Sequence, residues 1–523
     1  MQWGELTSEA ILSLCLSKAP RNRLVRQPIL RQLYLILFLV FTLLILLPSW
    51  TLYYLPRSRR PRQSWSLQRC LRVRWSRHLC GLIARCEIDY LGRDLSVEMD
   101  PLKLSHSHPV TIPPAPPSFL VGHPAQALNA IHSSKWTPHL IPPRLTWGRW
   151  ERDPCSSYNF APVQGFWFVG QKALPTDKMP LRPSDAPVML HFHGGGYLCG
   201  TAAETDLTSS IPKALVKHSA IHHILSVDYR LAPRGPWPVP LLDAISAYKY
   251  LVDEGVEDIV IAGDSAGGHL ALALTRWLQD EKALPMPKAL VLMSPWCDVG
   301  FSNSWGEAEY TFNSDCDTID DTFGPFATSL LLRGLPSDTM HTSEYLSPAS
   351  LFLDHVSFDQ FPPTFMVYGG AERLGSAIRV LWVRIRESRS EKDVVMEMPD
   401  SVHDFMIFPW QAEEAGLVYE RLDEWLRDIL SEDPAEMTTI FQRRRQRKAS
   451  LRFERSPVMR PLRRESGVLD MLEEFREEGQ NLVSLDIDSL SLPSAGAKEW
   501  LAPFTVQTEK GDWDWDGAWY DSE

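Results

Sequence analysis

The sequence has only eight cysteines in 523 residues, and no two of them form a C-x-x-C pair. Cys15, Cys70, Cys80, Cys86, Cys155, Cys199, Cys297 and Cys316 lie scattered without zinc-like spacing, which argues against a disulfide scaffold or a structural zinc module. Basic charge is scarce where a nucleic-acid enzyme would need it. Residues 95–442 carry a net −19, whereas duplex affinity comes largely from Lys and Arg neutralising phosphates. The formal charge of −12 for the whole chain hides +10 over residues 1–94, +9 over 443–464 and −12 over 465–523. Glycosylation sequons are also missing, since none of the six asparagines begins N-x-S/T, in keeping with a body that faces the cytosol. Apolar residues, by contrast, make up 44 % of the chain and aromatic ones 10 %. That is enough for one large core and rules out a wholly disordered or fibrous protein.

From Leu33 to Leu55 the chain runs 23 residues without a charge. At 1.5 Å per residue this helix would be about 34 Å long, enough to cross a bilayer core. Trp50, Tyr53 and Tyr54 stand where an interfacial belt would, and arginines flank both ends. The run is too long and begins too late for a cleaved signal peptide. Five basic residues precede it (Lys18, Arg21, Arg23, Arg26, Arg31) and seven follow within about 20 residues (Arg57, Arg59, Arg60, Arg62, Arg69, Arg72, Arg74). This excess predicts a single-pass protein of the endoplasmic reticulum or another endomembrane, with its large C-terminal body in the cytoplasm. Beyond the span, Leu67, Leu71, Trp75, Leu79, Leu82, Ile83, Cys86 and Tyr90 recur at helical spacing, with Arg69, Arg72 and Arg77 elsewhere on the wheel. That pattern fits a basic amphipathic helix on an anionic membrane surface and fits equally a helix packed on the body.

Proline-rich stretches at 109–117 and around Pro142 and Pro143 read as loops ahead of the first regular structure. Strand-length apolar runs follow at Gly165–Val169, Val188–Phe192, Ile221–Val227, Asp258–Ala262, Ala289–Met293, Thr364–Tyr368 and Val394–Met398, with helical patterns between several of them. This alternation predicts an α/β fold, a mostly parallel sheet with helices on both faces.

Three motifs carry the chemistry. His193-Gly194-Gly195-Gly196-Tyr197 follows the strand VMLHF, and its glycines let backbone N–H groups turn into a cavity, as an oxyanion hole requires. Further on, Gly263-Asp264-Ser265-Ala266-Gly267 joins the strand DIVIA to a helix. A serine on so tight a turn is held exposed at a helix N-terminus, which favours developing negative charge. Between these two lies Asp228-Tyr229-Arg230-Leu231-Ala232-Pro233. With these three segments the chain resembles the hormone-sensitive-lipase-like esterase branch of the α/β-hydrolases, over roughly residues 160–430. The resemblance implies the α/β-hydrolase fold and a serine nucleophile, Ser265, followed in chain order by an acid and a histidine.

Glu372, in the turn GGAERL after TFMVY, and His403, in VHDF after VVMEM, fit that order. Two departures stand out. Leu374-Gly375-Ser376-Ala377 replaces the L-x-D-E common in relatives, and Arg234-Gly235-Pro236-Trp237-Pro238 replaces E-H-P-F-P. Both bear on the substrate pocket rather than on the triad. Among competing residues, His191 reads as a hydrogen-bonding core residue, Asp264 as a holder of local loops and Asp228 as structural. Asp400 and Asp404 are alternatives to Glu372 as the acid, while His222 and His223, side by side, give no metal-ligand geometry.

The expected mechanism is nucleophilic. Ser265 attacks an ester carbonyl, His403 takes its proton, and Glu372 orients His403. Gly195, Gly196 and Ala266 form the oxyanion hole, to which Gly194 either adds a donor or gives only the shape of the turn, and no metal or organic cofactor is called for. Deacetylation of amides, or a non-catalytic ligand-binding or adhesion role on a hydrolase fold, are the alternatives. The chain thus divides into a basic segment (1–32), a transmembrane helix (33–55), a juxtamembrane and proline-rich segment (56–159), a catalytic domain (160–432) and a tail (433–523). In the tail, Arg443, Arg444, Arg445, Arg447 and Lys448 precede Ser450, an arrangement suited to a basophilic kinase, and mixed charge blocks predict disorder. The expected partners are a small-molecule or lipid ester and a membrane, with no nucleic acid.

Overall fold

The computed structural model describes residues 28–86, 88, 91–93, 99, 104–133, 144–146, 149–151, 159–170, 186–304, 313–336, 338–387 and 392–431. The segment 1–27, the basic run 443–448, Ser450 and the rest of the tail lie outside the described residues.

The apolar N-terminal run is helical throughout: α1 (Pro28–Phe41), a π-helical turn (Thr42–Leu46) and α2 (Leu47–Tyr54) follow without a break. Helix α3 (Leu67–Arg85) comes next, started by Ser66, whose side chain accepts from the N–H of Arg69. The face that packs on the body is a different one from the apolar stripe: Cys70, Val73, Arg77, Gly81 and Ala84 are buried and Arg69 reaches Glu414 at 2.7 Å, while Leu67, Leu71, Trp75, Leu82 and Ile83 are half-buried and Leu79 is exposed. Its other neighbour is the apolar run itself, with the His78 ring stacked on Phe38 and 3.1 Å from Thr42 Oγ1.

The body is built on an eight-stranded sheet. In chain order its strands are β1 (Ser107–Ile112), then, after a separate hairpin of β2 (Arg144–Thr146) and β3 (Arg149–Glu151), β4 (Val163–Val169), β5 (Val188–Phe192), β6 (His223–Asp228), β7 (Ile259–Asp264), β8 (Ala289–Met293), β9 (Thr364–Gly369) and β10 (Val394–Met398). Their spatial order is β1-β4-β6-β5-β7-β8-β9-β10, with β4 antiparallel to both neighbours and all later pairs parallel. Two readings of the sequence need correction here. Residues 109–112 belong to a strand rather than a loop, so the sheet begins well before residue 160. Pro109 is tolerated because β1 is an edge strand, where a missing N–H leaves no inner neighbour unpaired.

The central strands read as continuous apolar runs because both of their faces are covered. Leu190, Phe192, Ile261 and Leu290 pack on one side against α6 (Val239–Asp253) and α7 (Ala266–Glu281), after α4 (Gly122–Ser133) and α5 (Ser210–His218) in chain order. Met189, Val260, Ala262 and Val291 pack on the other side. There they meet α5 and, beyond α8 (Phe323–Leu331), α9 (Thr339–Thr342) and α10 (Gly375–Glu387), helix α11 (Ala412–Leu430). Each such fully buried aliphatic side chain is worth about 1.5–3 kcal/mol relative to exposure. The result is a rigid sheet whose parallel strands all end on the same edge.

Candidate active site

Three strand ends and the turns after them make the site. Ser265 sits between β7 and α7 with φ 50 and ψ −114, a backbone that non-glycine residues rarely adopt. It is held there by its N–H bond to Met293 O and by its own carbonyl, which accepts from the N–H groups of Trp296 and His269. Gly267 is required by close approach, since a Cβ there would lie 2.0 Å from Phe192 O. The nucleophile therefore stands out from the sheet edge at the start of a helix.

His403 follows β10 and brings Nε2 to 2.8 Å from Ser265 Oγ. Glu372, in the turn after β9, is fully buried, and its Oε2 accepts from Ser294 Oγ at 2.6 Å and from the Gly369 N–H at 3.0 Å. The same oxygen lies 3.8 Å from His403 Nδ1, just beyond hydrogen-bond reach. Burial pushes the Glu372 carboxyl up to about 8, against the pull of the His403 charge. Burial alone would lower the pKa of His403, but the carboxylates of Asp404, Glu372 and Asp317 outweigh it and raise it to about 10. A proton held on His403 thus keeps a cluster of buried carboxylates compensated.

The H-G-G-G turn after β5 faces the elbow. Gly195 has φ +111, and a Cβ at that position would meet Cys199 O at 2.0 Å, so only glycine permits the turn. The N–H of Gly194 is committed elsewhere, donating to Asp264 Oδ2 at 2.9 Å. Of the two roles open to Gly194, the geometry favours the second: it shapes the turn, leaving Gly195, Gly196 and Ala266 as the candidate donors. The D-Y-R-L-A-P segment supports the same turn from beneath. Tyr229 donates to His193 O at 2.6 Å and its ring stacks on that of His193, while Arg230 forks onto Asp243.

The other weighed residues fall into place around these. His191 pairs with Ser226 Oγ at 2.9 Å and lies 3.4 Å from Asp264 Oδ1 within the core. Asp228 takes Arg93 and the N–H of Ala202. Asp400 engages Ser64. Asp404 lies 3.3 Å from Nε2 of His403 rather than from Nδ1, on the wrong side to fix the productive tautomer.

Sequence reasoning missed Asp317. Fully buried, it accepts from the N–H of His403 at 3.0 Å with one oxygen and from the N–H of Arg373 at 2.9 Å with the other. It thereby ties the histidine loop to the acid turn. In the acidic stretch SDCDTIDD it carries no signal that separates it from a solvated loop residue.

A mostly parallel sheet with helices on both faces and a nucleophile elbow on its strand-end edge defines an α/β-hydrolase. A family model described as alpha/beta hydrolase fold matches residues 189–407. An esterase of Acinetobacter venetianus is 30 % identical over 229 residues, covering 42 % of this chain and 66 % of its own length. An acetyl-hydrolase of Streptomyces hygroscopicus is 36 % identical over 124 residues, covering 23 % and 40 %. Esterase LipU of Mycobacterium tuberculosis is 28 % identical over 250 residues, covering 46 % and 77 %. The chain thus spans between two fifths and about three quarters of these relatives. A solved esterase from the bacterial hormone-sensitive lipase family is 27 % identical, covering 51 % of this chain and 82 % of its own, with a TM-score of 0.42. Residues 189–407 thus carry the α/β-hydrolase fold, and their motifs resemble those of the hormone-sensitive-lipase-like branch.

Proposed function

We propose that this chain is a carboxylic ester hydrolase, tethered to a membrane by its N-terminal apolar helix and working through an acyl-enzyme on Ser265. The observation that carries this reading is the 2.8 Å contact between Ser265 Oγ and His403 Nε2, on an elbow that faces a glycine turn. His403 in its neutral form takes the Ser265 proton as Oγ attacks the ester carbonyl. The N–H groups of Gly195, Gly196 and Ala266 receive the oxyanion, aided by the N-terminus of α7. Collapse of the tetrahedral intermediate expels the alcohol, which takes the proton from His403. Water, deprotonated by the same imidazole, then releases the acid. Glu372 keeps Nδ1 protonated and compensates the imidazolium. The 26-residue helical run Ile29–Tyr54, whose outer face exposes Ile36, Leu37, Phe41 and Leu44, supports the tether.

The test is a panel of p-nitrophenyl esters from short to long acyl chains, run beside an anilide of the same acyl group, with Ser265→Ala as the blank. Ester cleavage that disappears in the variant is expected. Preferential cleavage of the anilide would turn the reading to amide deacetylation, and failure of a fluorophosphonate to label Ser265 would turn it to a non-catalytic role.

A further inference from the structure

The segment that leaves the apolar helix runs directly behind the catalytic turns. Arg62 Nη2 donates to Gly370 O at 2.9 Å and to Asn313 Oδ1 at 2.7 Å, and Asn313 Nδ2 in turn donates to Glu372 O at 2.9 Å. One arginine and one asparagine therefore cap the carbonyls on either side of the acid turn. Three residues on, the fully buried Trp65 donates from Nε1 to Asp400 O at 3.0 Å, and Arg69 donates to the same carbonyl at 3.2 Å. Arg62 Nε also faces Asp400 Oδ1 at 3.7 Å. Asp400 has φ 60 and opens the turn that delivers His403.

We propose that Arg62–Arg69 is a positioning element of the active site, in which Arg62 sets the acid turn and Trp65 sets the histidine turn. The two turns carry opposite halves of one contact, Glu372 Oε2 to His403 Nδ1, which stands at 3.8 Å. A shift of a few tenths of an ångström in either turn decides whether that contact is a hydrogen bond. The clamp is made of charge-assisted and indole hydrogen bonds from outside the hydrolase sheet, so the residues between the apolar helix and α3 do more than connect them. The inference rests on the triad reading given above and extends it to residues that touch no substrate.

The test uses the full chain with p-nitrophenyl butyrate and, separately, the rate at which a fluorophosphonate labels Ser265. Arg62→Ala is expected to lower kcat on the order of tenfold to a hundredfold with KM little changed, the range that losing charge-assisted hydrogen bonds gives. Its pH–rate profile should shift as well, because the acid no longer holds the imidazole. Arg62→Lys should recover part of the loss. Trp65→Phe, which keeps the ring and removes only the N–H, should show a smaller loss of the same kind. Arg72→Ala, an exposed arginine on α3, is the control and should match wild type. If Arg62→Ala fails to fold, Arg62→Lys and Trp65→Phe decide alone. Folded variants with wild-type kcat, pH profile and labelling rate would overturn the proposal. A wild-type chain that labels but cleaves no ester removes the substrate reading alone, whereas one that does not label removes both.

Discussion

Asp404 Oδ2 lies 3.3 Å from His403 Nε2, the ring nitrogen that also faces Ser265 Oγ. A carboxylate on that side favours Nε2–H, the tautomer that cannot take the serine proton, and it also favours the protonated ring. The base must be neutral to accept the serine proton, so activity should rise with pH through the pKa of His403, which nearby carboxylates raise to about 10 despite burial. Asp404→Asn removes the foremost of those carboxylates. The acid limb of kcat/KM is therefore expected to move to lower pH in that variant. A limb that stays in place or moves upward in a pH–rate titration would show that Asp404 does not act on the imidazole.

Glu372→Gln should behave differently. The amide keeps the volume but no longer prefers Nδ1–H, so turnover should fall by about 10⁴, the size of effect that an amide at the acid position produces through the wrong tautomer. Asp404→Asn should cost far less at its own optimum. Reversal of that order in kcat would move the acid role from Glu372 to Asp404.

Ser265→Ala should lose on the order of 10⁴-fold or more in kcat, since the oxyanion donors alone do not supply a nucleophile. The strained φ of 50 is kept by the surrounding backbone bonds rather than by the hydroxyl, so thermal unfolding should stay close to wild type. Substantial turnover in a folded Ser265→Ala chain would sink the mechanism.

Much of this site is legible in the sequence because its chemistry is local. A serine on a strand-to-helix turn and a glycine triplet after a strand each need particular residues at fixed spacing, and periodicity places seven of the sheet strands within a few residues. The illegible parts are those fixed by contacts between distant segments. Asp317 and Asn313 act through hydrogen bonds to backbone more than 50 residues away, and no local pattern marks them. Helix α3 has an apolar stripe that suits a membrane surface and a protein surface alike, yet it packs on the body through another face, where Arg69 and Arg77 meet Glu414 and Asp321. Strand β1 hides behind Pro109 because a proline signal carries no information about whether the strand is an edge. Gly194 looks like its neighbours in sequence, and only Asp264 Oδ2 shows that its N–H is spoken for.

Gly195→Ala tests the oxyanion turn. The added methyl would collide with Cys199 O on a backbone with φ +111, so the turn must move and its N–H groups with it. Loss of oxyanion donors costs about 10²–10³ in kcat, and at least that loss is expected with KM changed little. A folded variant within tenfold of wild type would place the oxyanion elsewhere.

If the apolar helix spans a membrane, as proposed above, its orientation follows from charge at the moment of insertion. Of the seven arginines after the apolar run, Arg62, Arg69 and Arg74 face Asp400, Glu414 and Asp315 in the folded chain. Those acids are synthesised more than 200 residues later, so the arginines meet the insertion machinery unpaired and all seven count. Under the proposed tether, seven against five predicts a C-terminal side in the cytoplasm. Protease added to sealed microsomes should therefore digest the hydrolase body without detergent, and activity on an added ester should need no permeabilisation. Full protection until detergent is added would place the body in the lumen and show that charges before the span outweigh those after it.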